Sequence, residues 1–200
     1  MSEQLILASS SAYKKSLLER LCIPFSCDSP NIDETPQPNE SPINLVKRLS
    51  EQKALTIATQ NPGKVVIGAD QAGDIDGNIL EKPENYENAF KQLQYQSGKT
   101  VYFHCGITVL TYLSSDNILK TTQTSTTEVV FRQLTDSEIK TYLEKERPYD
   151  CAGSFKSEGL GISLFHQINS SDPTCLIGLP LILVREMLGN TGINNINLIN

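Results

Sequence analysis

The chain reads as an α/β protein built on a mixed, twisted sheet with flanking helices. Leu5-Ile6-Leu7-Ala8 and Val65-Val66-Ile67-Gly68-Ala69 are apolar runs of the kind buried on both faces of a sheet. Next to them lie stretches whose apolar residues recur at helical spacing: Leu17, Leu18 and Leu21 in one, then Leu45, Val46, Leu49, Ala54, Ile57 and Ala58 in another. Two β-rich runs, Thr100 to Thr111 and the threonine-laden Thr121 to Phe131, are expected to pair across a loop near Ser114 to Asn117.

In chain order, the first strand runs into Ser9-Ser10-Ser11 and then Ala12-Tyr13-Lys14-Lys15, which opens the first helix. The polar, proline-rich stretch from Asp28 to Pro42 reads as an irregular loop carrying Asp33-Glu34. Ser41-Pro42 starts the second helix with a cap and a proline at the first helical position. Lys47, Arg48 and Lys53 lie off its apolar stripe, where a lysine is usually solvated. The strand from Val65 is expected to stop at Asp70-Gln71, and Asp76-Gly77 is a hairpin turn signal between Ile75 and Ile79. After Lys82-Pro83 a helix is expected from about Asn85, with Ala89, Phe90 and Leu93 on one side. Ser97-Gly98-Lys99 then turns the chain into the β-rich runs. Thr135-x-x-Glu138 is a capping box for a helix carrying Ile139, Tyr142 and Leu143. Small residues from Cys151 to Gly161 let the backbone approach another group closely, and Gly161 to Phe165 reads as a strand. Gly178-Leu179-Pro180 opens a last helix with Leu181, Val184 and Leu188 as its stripe. One domain over residues 1–189 is expected, followed by a loosely ordered Asn-rich tail, 190–200.

With 38% hydrophobic and 20% charged residues, the 200-residue chain is long enough to bury a substantial core. A net charge of -6 argues against a general nucleic-acid or membrane-surface binder. No apolar run approaches the ~20 residues that cross a bilayer. Met1-Ser2-Glu3-Gln4 lacks the basic flank and apolar core of a signal peptide, so a cytoplasmic location is expected. Cys22, Cys27, Cys105, Cys151 and Cys175 are odd in number and include no Cys-x-x-Cys pair; they read as reduced, mostly buried residues. His104 and His166 are too isolated to mark a metal cluster and read as structural.

An acid that closes a buried strand is a candidate catalytic group, because ligands of open α/β sheets gather at the carboxyl ends of strands. Asp70 is such an acid, although it can equally begin a turn through Gly73. The serine turn at Ser9 is in principle an anion site, combining helix-start N–H groups, hydroxyls and lysine charge. Its plain alternative is a Ser-capped helix with two solvated lysines. Taken together, two acids, the serine turn and Lys14, Lys15, Lys53 and Lys82 are equipment for holding a polyphosphate. Magnesium needs only one or two carboxylates beside phosphate oxygens, so no dense ligand motif is required. The chain has neither Gly-x-x-x-x-Gly-Lys-Ser/Thr nor Gly-x-Gly-x-x-Gly, which excludes the commonest NTPase and dinucleotide signatures.

Leu7-Ala8-Ser9 through Lys15, Asp33-Glu34, Gly68-Ala69-Asp70-Gln71, Lys82-Pro83, Ser97-Gly98-Lys99, Cys151-Ala152-Gly153-Ser154 and Gly178-Leu179-Pro180-Leu181 occur in one order over residues 5–188. In that order and spacing they resemble the Maf family of nucleotide pyrophosphatases. The Gly-Ala-Asp-Gln tetrad and Phe155-Lys156-Ser157-Glu158-Gly159 resemble its subgroup acting on 7-methyl-GTP.

The resemblance implies two lobes around a central nucleotide-binding cleft. It also implies metal-assisted hydrolysis of the α–β phosphoanhydride with magnesium, manganese or cobalt, releasing diphosphate, and points to a homodimer. Asp70 would be the general base on water; Ser9, Lys14, Lys53 and Lys82 the phosphate ligands; Glu34, with Asp70, the metal partner; and Tyr13, Gln71 and Glu158 the residues that distinguish the base. Other readings are the same reaction on dTTP or UTP, and a nucleotide-binding regulator of division or septum formation. One departure stands out: the family's Ser-Pro-x-Arg-Arg is here Ser11-Ala12-Tyr13-Lys14-Lys15, which keeps the charge but loses the bidentate fork of arginine. A 7-methylated guanine carries delocalised positive charge, which suits an aromatic face at Tyr13 and a carboxylate at Glu158. Without the resemblance, Tyr13 reads as a half-buried helix residue and Glu158 as a turn carboxylate.

Overall fold

A computed structural model describes residues 4–114 and 117–191. Its strands are β1 (Leu5–Ala8), β2 (Phe25–Asp28), β3 (Val65–Ile75), β4 (Asn78–Leu80), β5 (Thr100–Ser114), β6 (Asn117–Phe131) and β7 (Phe165–Ser170). They form one mixed sheet in the order β2-β1-β3-β5-β6-β7, with β4 folded back onto β3. β1 pairs in parallel with β2 and β3, and every other pairing is antiparallel. The helices are α1 (Ala12–Glu19), α2 (Pro42–Gln60), α3 (Tyr86–Gln96), α4 (Asp136–Glu146) and α5 (Leu181–Gly189).

Most boundaries follow from local chemistry. Ser11, Ser41 and Asn85 accept the N–H three residues on, capping α1, α2 and α3. Both hydrogen bonds of the Thr135/Glu138 capping box are made at the start of α4. Asp76 and Gly77 turn β3 into β4, with Asp74 Oδ1 accepting the Gly77 N–H at 2.9 Å.

Four expectations are corrected. β3 does not stop at Asp70: Asp70 to Asp74 pair with Gly106 to Tyr102 of β5, so the acid lies within a long ladder and starts no turn. Phe25–Asp28 is a strand where none was expected, because a short half-exposed edge strand has no buried run to betray it. Gly161 to Phe165 is no strand. Leu160–Leu164 is a 3-10 helix with Ile162 exposed, and in the strand that follows it only Phe165 is buried. Finally, Cys22 and Cys27 are exposed, while Cys105 and Cys175 are buried. His104 is buried against Thr126 (2.9 Å) and Asp74 (3.4 Å), a structural placement. The Asn-rich tail lies, from residue 192, outside the described residues.

The two sheet faces carry different loads. On one face the apolar core is split in two. Leu5, Leu7, Ile67, Ile107 and Val109 pack with α1 and α5, whereas Ile75, Val101, Phe103 and Phe131 pack with α3, α4 and Phe155. Gln71 and Cys105, register partners on β3 and β5, lie between the two clusters. Here are the two lobes. On the opposite face α2 crosses the sheet unbroken, its Ala54, Ile57 and Ala58 against Ile6, Ala8, Val66 and Leu110, and its Leu45, Val46 and Leu49 against Ala72.

The helix sits unusually close. A Cβ at Gly68 would overlap the Ser50 carbonyl oxygen and lie 2.7 Å from Ala54 N; one at Gly106 would overlap the Val46 carbonyl. Helix backbone cannot yield as a flexible side chain can. Gly106→Ala is therefore expected to destabilise the fold by about 3 kcal/mol or more, a loss of roughly 6 to 12 °C in Tm for a chain of this size, checked by thermal unfolding.

Candidate active site

β1 ends at Ala8, opposite Gly68, and β4 does not join β3 until Gly73. Between those points one edge of β3 has no strand beside it among the described residues. Asp70 and Gln71 occupy that gap, and because strand side chains alternate they point to opposite faces. A cleft of about 430 Å³ opens there. Ser9, Tyr13, Lys14, Glu34, Lys53, Asp70, Gln71, Lys82 and Glu158, the residues singled out in the sequence, all line it. They come from the β1–α1 turn, the first turn of α1, the loop after β2, α2, β3, the segment after β4, and the loop after α4.

Asp70 shares its face of β3 with Gly68, so it looks toward α2, and the close seat of that helix brings Lys53 onto it. The Lys53 ammonium lies 2.6 Å from Asp70 Oδ1 and 2.9 Å from Glu34 Oε1. Lys53 and Asp70 are only 8% and 7% exposed, so the expectation that Lys53 is solvated fails: an off-stripe position on α2 here faces the cleft. Glu34 is reached through its loop, which Arg48 of α2 clamps by donating to Thr35 O (3.1 Å) and to both oxygens of Glu40 (2.7 Å each).

Burial raises the Asp70 carboxyl above the usual aspartate range, and Lys53 and Lys14 only partly offset that push. Burial also works against the Lys53 charge, but Asp70 and Glu34 outweigh it and hold the ammonium protonated. Lys14 is the opposite case: burial lowers its pKa despite Asp70 nearby, so its charge lacks a sufficient counter-anion. Lys15 is exposed and reaches Glu19 at 4.0 Å, so only one of the two lysines is a solvated helix residue.

The serine turn is internally organised. Ser9 Oγ accepts the Ser11 N–H (3.1 Å) and Ser11 Oγ accepts the Lys14 N–H (3.3 Å). The first-turn N–H groups of a helix have no partners within it, and those of α1 border the cleft. Gln71 donates its amide to the carbonyls of Cys175 and Leu176, both at 3.0 Å, which leaves its side-chain oxygen as an acceptor. Lys156 and Asp150 also line the cleft and were not singled out from the sequence. Lys156 stands in the Phe155-Lys156-Ser157-Glu158-Gly159 run that resembles the 7-methyl-GTP subgroup, but that resemblance gave it no role of its own.

Asp70 and Glu34 converge on one cationic centre, the Lys53 ammonium. Among the described residues no group of three or more His, Cys, Asp or Glu is placed to hold a metal. Two carboxylates suit a hard cation that completes its shell with phosphate oxygens and water, and do not suit a closed zinc-type site.

Because Lys53 lowers the Asp70 pKa, its removal must raise it. In Lys53→Met the Asp70 carboxyl is expected to titrate at higher pH than in the wild type, read from the carboxyl carbon resonance by NMR.

A family model described as Maf-like protein matches residues 4–191. A 7-methyl-GTP pyrophosphatase of Pseudoalteromonas atlantica is 52% identical over 185 residues, covering 92% of this chain and 93% of its own. A protein of the same name from Bordetella parapertussis is 48% identical, covering 96% of this chain and 94% of its own. One from Nitrosococcus oceani is 46% identical, covering 94% and 93%. A family match along the described chain and relatives near half identity over almost its whole length lead to one conclusion: the chain belongs to the Maf family.

Proposed function

We propose that the protein hydrolyses 7-methyl-GTP to 7-methyl-GMP and diphosphate, with Asp70 as general base. The observation that carries this reading is the buried Asp70 carboxylate, 2.6 Å from Lys53 in the gap beside the serine turn, with its proton affinity raised. A base should titrate close to the pH at which it works, and burial moves Asp70 in that direction. The names of the half-identical relatives support the substrate.

The triphosphate lies against the Ser9–Ser11 turn and the start of α1, where N–H groups and hydroxyls donate to its oxygens. Lys14 gains there the counter-anion it lacks, and Lys82, in the segment after β4, adds a further positive charge to the lining. Water attacks the α-phosphorus, Asp70 takes its proton, and the α–β bond breaks with the electron pair leaving on diphosphate. Lys53 steers the Asp70 carboxylate and balances its charge. When bound by Asp70 and Glu34, a divalent cation (magnesium, manganese or cobalt) neutralises phosphate oxygens and makes water more acidic. The base lies toward Tyr13 and Glu158, whose aromatic face and carboxylate suit a cationic ring.

A diphosphate-release panel of 7-methyl-GTP, GTP, dTTP and UTP tests the reading. Release fastest from 7-methyl-GTP is expected; preference for unmethylated pyrimidines would replace the substrate, and saturable binding without product would replace the enzyme by a regulator. Asp70→Asn should lower kcat by roughly 10²- to 10⁴-fold, the usual contribution of a general base, with thermal unfolding little changed. Stripping divalent ions with a chelator should abolish release, and adding back magnesium, manganese or cobalt should restore it.

A further inference from the structure

Three of the lysines that line the cleft fall into two electrostatic groups. Lys14 and Lys53 act with Asp70 and Glu34. Lys156 instead faces the Tyr13 hydroxyl and the Cys151 thiol, with Asp150 Oδ1 at 3.9 Å. Its loop is fixed from below by α4: Tyr142 Oη accepts the Lys156 N–H (3.1 Å) and Glu146 Oε1 accepts the Leu160 N–H (2.8 Å). The same loop carries Glu158, two residues on and also lining the cleft. Lys156 makes its ion pair with Asp150, and Glu158 accepts only from Ser157 Oγ (3.4 Å) among the described contacts. A pinned loop thus presents one donor and one acceptor to the cleft, not consumed by each other.

We propose that Lys156 is a specificity residue that donates to the exocyclic oxygen of the nucleobase, O6 of guanine, while Glu158 accepts from the neighbouring ring N–H. This rests on the reading above, in which the base occupies the Tyr13 end of the cleft. An ammonium has three donors and no acceptor, so it accepts a 6-oxo purine and rejects a 6-amino one. Asp150 offsets its charge, which lets the donor face a ring that is itself cationic.

The test compares GTP with 6-thio-GTP, which keeps the ring N–H but replaces the oxygen by a poor acceptor, in single turnover with enzyme in excess. Wild-type enzyme should prefer GTP by roughly 10- to 100-fold, the worth of a hydrogen bond to a charged donor. Lys156→Met should bring the ratio to near one by slowing GTP, Lys156→Arg should retain the preference, and Glu158→Gln should slow both nucleotides alike. An unchanged ratio in Lys156→Met, or an equal loss on both nucleotides as for a phosphate ligand, overturns the proposal. If the earlier panel favours UTP, the purine reading fails separately, and UTP against 4-thio-UTP tests Lys156 through the equivalent oxygen.

Discussion

The seat of α2 on the sheet is the constraint on which the rest depends. Two strand positions without a Cβ, Gly68 and Gly106, let helix backbone rest directly on strand backbone. Ser50 fills part of that interface with a hydroxyl bond to Thr108 at 3.0 Å, and Ala54 packs where a larger residue would not fit. At this separation a lysine on α2 spans the gap to a carboxylate on β3. The catalytic candidate and its partner are thus products of packing distance as much as of residue type.

A lysine–aspartate pair at this depth is weak evidence for stability. Removing both charges from water costs several kcal/mol per ion, and a well-packed apolar pair is often as stable. What the pair does change is reactivity. The Asp70 carboxyl is pushed up by burial and held in place by an ammonium that also faces Glu34, so one cation organises two acids. That arrangement accounts for a carboxylate that is oriented yet still basic.

The split core gives the cleft its polarity. Where the two apolar clusters part, the sheet exposes Asp70 toward α2 and Gln71 toward the Cys175–Ile177 3-10 turn. Lys14 and Lys53 lie on the side of the serine turn and Asp70, whereas Tyr13 meets Lys156 on the side where Glu158 also lines the cleft. A nucleotide has the same division, an anionic end and a hydrogen-bonding ring.

The elements with local signatures were legible in the chain: the capped helices, the buried run from Val65, the Asp76-Gly77 hairpin and the β5–β6 pairing. Their signals reside in neighbouring residues, so one segment suffices to read them. β2 and β7 were not legible, being edge strands specified by the partner they pair with rather than by an apolar period of their own. The same divide runs through the cleft. Motif order brought Asp70, Glu34 and the serine turn to notice, because residue type at a strand or loop carries its own chemistry. That Lys53 is buried, that Arg48 clamps the Glu34 loop, and that Lys156 faces Tyr13 depended on helices and loops far apart in sequence meeting across the sheet. Residue type and local order were in the sequence; distance and burial, which decide whether a charge is solvated or reactive, came only from the tertiary structure.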